Sequence, residues 1–220
     1  MPTSAGTGWA EIAELRYNQA VFDGDADAIG IGQAELDRVE ADLALARARL
    51  LHARFLEQRE GGGDARQGVL LERAVELYRS LGDGRGEGEA AFWLGTYHQV
   101  VREAYDEAVP FFELSYQLAS AADDKLTLSY ATRHLGYAAE AAGRTDEART
   151  RFEESVRLRE EVSFLPGVAA GKLALAEFLA DSGDHEGSLT QLAQARAVAE
   201  GCAAHGVLRW IARASEEAGT

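Results

Sequence analysis

The chain has 220 residues, 46% of them hydrophobic, with a formal net charge of −15. Binding a phosphate backbone needs clustered Lys and Arg, and no basic stripe here is long enough to overcome that field, so nucleic acid is not an expected partner. A lone cysteine, Cys202, rules out an internal disulfide, and no stretch approaches the roughly 20 apolar residues of a membrane span.

Residues 1–8 read as a disordered lead without the basic start or apolar run of a signal peptide, and 9–220 as a single helical domain. A cytoplasmic protein is expected, since an unpaired cysteine fits a reducing compartment. Only three prolines, with abundant Ala, Leu, Glu and Arg, favour helix throughout. The periodicity predicts eleven helices, at 9–22, 25–39, 42–60, 65–81, 86–102, 105–121, 124–142, 145–161, 165–182, 185–201 and 204–217. In the first, Trp9, Ile12, Leu15 and Ala20 fall near one face; in the second, Ile29, Gly32, Leu36 and Val39 do. Glu40-Ala41-Asp42 is a weak turn, so the second and third helices could fuse. Firm breaks follow at Leu81-Gly82-Asp83-Gly84-Arg85-Gly86, Ala122-Asp123-Asp124 and Ser163-Phe164-Leu165-Pro166, with turns inside the repeats at Gly143 and Gly183. Pro166 and Pro110 are placed in first helical turns, where no amide donor is required. The last helix, with Val207, Leu208, Ile211 and Ala212 apolar and Glu216 and Glu217 wet, should cap the open end of the core.

The breaks recur. Gly183-Asp184 follows Gly143-Arg144 by 40 residues; Ala148, Phe152 and Ser155 return as Ser188, Leu192 and Ala195, and stand 40 after Ala108, Phe112 and Ser115. Leu71 and Ala74 precede Phe112 and Ser115 by 41, with Gly61-Gly62-Gly63 as their turn and Gly24 in a still earlier one. Together with Leu135-Gly136 and Leu94-Gly95, this pattern resembles the tetratricopeptide repeat, in the longer form, about 40 residues, of helical arrays in bacterial transcription regulators and signalling ATPases. The resemblance implies an all-α, right-handed solenoid of about five helical hairpins plus a C-terminal capping helix.

No chemistry-bearing motif stands out. Asp23, Asp25 and Asp27 alternate like the opening of a calcium loop, but Ala28 and Ala34 occupy the places of its Gly and bidentate Glu, so a turn and an acidic helix start are expected. The glycines at 82, 84, 86 and 88 lack the preceding strand and the Lys-Ser/Thr ending of a phosphate cradle. His52, His98, His134, His185 and His205 have no metal-ligand spacing, and no nucleophile–base pair is visible. No cofactor, metal or catalytic residue is therefore expected.

In such arrays the first helix of each hairpin lines a concave groove. The resemblance turns Tyr130, Arg133, Tyr137 and Glu140 into it, with Glu89, Phe92, Thr96 and Gln99 from the preceding repeat and Glu177 from the following one. Arg49, His52, Leu56 and Arg59 lie further back, which would make the groove basic at its N-terminal end, aromatic in the middle and acidic beyond. The alternative for Tyr130 and Phe92 is packing between adjacent helices. The implied function is a non-catalytic scaffold that takes a protein or peptide in the groove. A small-molecule sensor or enzyme with a pocket in that trough, and the detached sensory array of a regulator, are the other readings. A homodimer through the N-terminal end, where Trp9 has no capping helix, is also expected.

Overall fold

A computed structural model describes residues 8–59 and 62–217; the lead up to residue 7, Gly61 of the expected glycine turn and the side chain of Glu217 lie outside the described residues. The described residues form ten α-helices and no strand: α1 (Gly8–Asn18), α2 (Ala28–Glu57), α3 (Arg66–Ser80), α4 (Gly84–Thr96), α5 (Tyr105–Ala121), α6 (Lys125–Ala141), α7 (Thr145–Glu161), α8 (Leu165–Asp181), α9 (His185–Gly201) and α10 (His205–Glu217). They group into two compact units, one ending at Ala104 with α1 to α4, the other starting at Tyr105 with α5 to α10.

The second unit is built on a step of 20 residues, half the repeat seen in the sequence. Helices α5 to α9 each have 17 residues and start at 105, 125, 145, 165 and 185. Every connecting turn places one residue in the left-handed region: Asp123 (φ 51°), Gly143 (72°), Ser163 (56°), Gly183 (87°) and Ala203 (53°). This is the helix stop in which an amide past the turn reaches back to a carbonyl of the last helical turn. The amide of Arg144 donates to the Ala139 carbonyl at 2.9 Å, and Asp124 to Ala119, Phe164 to Arg159, Asp184 to Leu179 and Ala204 to Ala199 repeat the bond. Asp124 and Asp184 then cap the next helices, accepting from the amides of Thr127 (3.1 Å) and Gly187 (3.0 Å). The left-handed region costs a residue with a Cβ roughly 1–2 kcal/mol, part of which glycine returns as unfolded-chain entropy. Ala203→Gly is therefore expected to stabilise the chain by about 0.5–1 kcal/mol. Urea melts that show equal or lower stability would contradict this account of the turn.

Small residues set the helix crossings. Ala108, Ala148, Ala195 and Ala199 are fully buried, as are Phe112 and Ser115, and Phe152 and Ser155 follow at 1% exposure. The 40-residue register therefore places equivalent residues at equivalent depth. Leu135, expected in the same core, is half-buried. So is Leu192, which stands one repeat after Phe152 and packs against the cluster of Ala195, Ala199, Val207 and Ile211. α10 covers that end as expected through Val207 and Ile211, whereas Ala212 is exposed. Pro110 lies in the second turn of α5, not the first, although the helix begins at Tyr105 as expected.

In the first unit, the predicted second and third helices are one helix of 30 residues, α2. Nothing in Glu40-Ala41-Asp42 breaks a helix; Ala41 is fully buried, and the Asp42 carboxylate accepts the Tyr78 hydroxyl at 2.7 Å. The inward face of α2 near its start is carried by Ala28 and Gly32, while Ile29 and Val39, expected inside, stay 71% and 38% exposed. Gly32 is tolerated mid-helix because a Cβ there would stand 3.0 Å from the side chain of Arg16, which forms a two-pronged pair with Glu35 at 2.9 and 2.7 Å. Two helix ends widen into π-helical turns, Gln19–Asp23 after α1 and Tyr97–Val101 after α4. Asp25 accepts from the amide of Asp27 at 3.0 Å, a local turn into α2. Asp83 caps α4 through the Gly86 amide at 3.1 Å.

Candidate binding face

α6 turns Ser129, Gly136 and Ala139 towards α7. The Ser129 carbonyl accepts from the Ser155 hydroxyl at 2.8 Å, a Cβ on Gly136 would stand 3.2 Å from the Phe152 ring, and Ala139 packs with Ala148 and Phe152. Tyr130, Arg133, Tyr137 and Glu140, three or four residues apart, are left half-buried. Tyr137 is where they meet: Arg133 and Glu140 of α6, Glu177 of α8 and Arg159 of α7 all act on its phenol, which burial pushes up. Its ring meets Phe152 edge-on at 5.0 Å and His134 at 5.9 Å, so it belongs partly to the core. Burial also pushes the Glu140 carboxyl above its ordinary value, and Asp181 adds to the effect. Glu177 is exposed.

Arg159 is a member that the sequence pattern did not mark. It is fully buried, its Nε donates to the Ser129 hydroxyl at 3.2 Å, and its Nη1 donates to the Gly167 carbonyl at 2.9 Å. The guanidinium lies over the Tyr130 ring, 5.1 Å from its centroid. Room comes from α8: a Cβ on Gly167 would stand 3.2 Å from Arg159 Cδ, and one on Gly171 3.2 Å from Nη1. Burial, and then the like charge of Arg133, push its pKa down to about 9, so it remains a cation at neutral pH.

The first unit has its own constellation. Glu89 is half-buried and accepts from Arg49 at 3.0 Å, and the Arg49 guanidinium lies 5.4 Å from the centre of the Trp93 ring. The N-terminal residues were expected to be basic; in this unit the Arg49 charge is matched by Glu89. Phe92 and Thr96 are each 4% exposed; Phe92 packs edge-on against Trp93 at 5.3 Å, and the Thr96 hydroxyl donates to the Phe92 carbonyl at 3.0 Å. Their spacing on the helix was legible, but their coverage by neighbours was not. Gln99 is half-buried in the π-helical turn after α4.

On α7, Arg149 pairs with Asp184 at 3.2 Å, and Arg157 with Glu154 and Glu161. No group of His, Cys, Asp and Glu side chains among the described residues is placed to hold a metal ion. Among them, too, no helix is long and apolar enough to cross a membrane.

Residues 89–161 match the family model described as tetratricopeptide repeat. The crystal structure of BtubC (BKLC) from P. vanneervenii is similar in fold, with a TM-score of 0.54 at 14% identity, over 88% of this chain and 89% of that one. No curated protein matches the sequence.

Proposed function

We propose that this tetratricopeptide-repeat protein is a non-catalytic scaffold, which binds a protein or peptide partner on the face of its first helices. The observation that carries the reading is the side of α6 left by its packing on α7, where Tyr130, Arg133 and Glu140 remain half-buried beside exposed Glu177 of α8. Aromatic rings with hydroxyl donors, next to both signs of charge, suit an extended peptide better than a flat polar surface does. Glu89, with Arg49 and Trp93, offers a similar mixture in the first unit. A cytoplasmic location belongs to the same proposal, as the unpaired Cys202 fits a reducing compartment. So does self-association through α1, whose residues are all unburied, with Trp9, Leu15 and Tyr17 more than half exposed. A strict monomer in light scattering at high concentration would remove that part.

The binding test uses partners co-purified from the native host and a double charge reversal, Glu140→Arg with Glu177→Arg. The reversal is expected to weaken capture about thirtyfold, the size of one lost hot-spot contact, with helicity and melting temperature held. Arg149→Ala and Arg157→Ala, which open only exposed ion pairs, should leave capture unchanged. Capture that survives the reversal but is lost with Arg149→Ala or Arg157→Ala would move the working surface to the second helices.

A further inference from the structure

Helix α2 has two apolar sides. One packs on α3 and buries Ala41, Ala44, Leu45, Ala48 and His52. The other repeats every seven residues: Ile29, Leu36, Leu43 and Leu50, with Gly32, Val39, Ala46 and Ala53 between them. α1 meets the start of this stripe, where Gly32 is buried against Arg16. From Val39 to Ala53, about 21 Å of helix, the stripe lies open. Leu43 is 48% and Leu50 72% exposed, and Ala46 and Ala53 are exposed beside them. Apolar residues alternately three and four apart form the seam by which one helix pairs with another.

The flanks of the seam are sorted by sign. Glu35, Asp37, Glu40 and Asp42 stand along its first part with one arginine, Arg38; Arg47, Arg49 and Arg54 stand along the second with no carboxylate. A second α2 running antiparallel would bring its basic part to the acidic part of the first, and the reverse. In that register Val39 meets Leu50 of the second copy, and Leu43 meets Ala46 of the second copy, large against small. Glu40 then faces Arg47 of the second copy, and Asp42 faces Arg49. A parallel pair would instead set Arg49 beside Arg54 and Glu35 beside Glu40, like charge against like. Glu40 and Arg49 already pair with Arg73 and Glu89, but these are exposed pairs that leave both groups open to a further charge.

We propose that the chain forms a two-fold symmetric dimer in which α2 of each copy packs antiparallel on α2 of the other, centred between Leu43 and Ala46. This rests on the self-association proposed above and moves its centre from α1 to α2; the peptide-binding face plays no part in it. The same patch serves on both copies, as two-fold symmetry requires.

Sedimentation equilibrium of the full chain tests the contact, with circular dichroism as the control for folding. The parent should sediment as a concentration-dependent dimer. Leu43→Glu with Leu50→Glu, both at exposed positions, should weaken dimerisation about a hundredfold or more with helicity kept. Glu40→Arg and Arg47→Glu should each weaken it about tenfold alone. An equal mixture of those two variants should regain the parent's affinity, because opposite charges meet again across the seam. A Glu40→Arg chain that pairs more tightly than the parent would mean parallel helices and overturn the register. A strict monomer overturns the dimer on α1 and α2 alike. A dimer that survives the Leu43/Leu50 change overturns the α2 contact, and its loss with Trp9→Glu would leave the α1 contact standing. A monomer that holds a co-purified partner until Leu43 and Leu50 are changed would give the stripe to another protein and overturn the second copy as its occupant.

Discussion

Phe152→Ala is expected to cost about 3–5 kcal/mol, the usual range for an aromatic side chain removed from a close-packed core. Phe152 is 1% exposed and joins three helices: its ring lies 5.0 Å from that of Tyr137 on α6 and 5.2 Å from that of Phe178 on α8. Ala139, Ala148, Ala174, Leu175 and Leu179 complete the cluster. A loss of this size is a large share of the roughly 5–15 kcal/mol that holds a typical domain together. Because repeats are stabilised by their nearest neighbours, α6 and α8 should both loosen. Urea unfolding followed by circular dichroism measures the change, and a midpoint equal to the parent's would show the register to be wrong. The contact with Gly136 gives a finer check. A Cβ there would stand 3.2 Å from the Phe152 ring, tighter than most real contacts, so Gly136→Ala should be costly in the parent. In the Phe152→Ala background both ring contacts are gone and only the 3.3 Å approach to Arg151 Cβ remains, so the two changes should be coupled.

That prediction rests on residues legible in the sequence. Ala148, Phe152 and Ser155 could be read because side-chain size at a helix crossing is a local requirement, repeated every 40 residues with the same solution. The step of 20 was already visible in the expected helix starts, 105, 124, 145, 165, 185 and 204; the left-handed turns that set it were hidden, since Asp123, Ser163 and Ala203 hold that position without glycine. The run of α2 across Glu40-Ala41-Asp42 depends on the buried Ala41 and on the bond from Tyr78 to Asp42, both supplied by α3. A linear pattern does not display such support.

The face of α6 was half legible. Spacing placed Tyr130, Arg133, Tyr137 and Glu140 together, because helical geometry alone decides that. It could not say that Tyr137 leans into the Phe152 cluster, or that Phe92 and Thr96 are covered. Arg159, in the run Arg157-Leu158-Arg159-Glu160-Glu161, looks like surface charge. Its burial depends on space that Gly167 and Gly171 leave in the next helix. Two glycines four apart inside a predicted helix, where each costs about 1 kcal/mol, were the available signal that something bulky crosses there.

Acid should reveal the second large effect, at His52. This side chain of α2 is 6% exposed, with its ring 5.5 Å from that of Trp93 and its Nδ1 3.4 Å from the Gln67 amide nitrogen. Burial, and then the positive charge of Arg59, hold its pKa down to about 4. In the unfolded chain an imidazole titrates near 6.5, so the folded value is the lower one. Above about pH 6.5 both states are neutral here and the full stability is present. As the pH falls towards 4, the unfolded chain gains a proton that the folded chain refuses, and stability drains away across that window. At about 1.4 kcal/mol per pH unit, the whole loss is roughly 3 kcal/mol. Asp64, held at about 2 by hydrogen bonds from Arg66, works lower down, since a carboxylate with a depressed pKa loses its contribution only once its unfolded form is protonated, near pH 4. From pH 6.5 to 5 the difference between the parent and a variant that lacks only this imidazole reports the histidine, since the raised Glu140 carboxyl acts alike in both. His52→Gln keeps a polar group for Gln67 and cannot take up the proton, so over that interval the parent's urea midpoint should fall relative to the variant's. Parallel slopes in the two proteins would mean that His52 accepts a proton inside the fold, and that Gln67 and Trp93 do not shut water out.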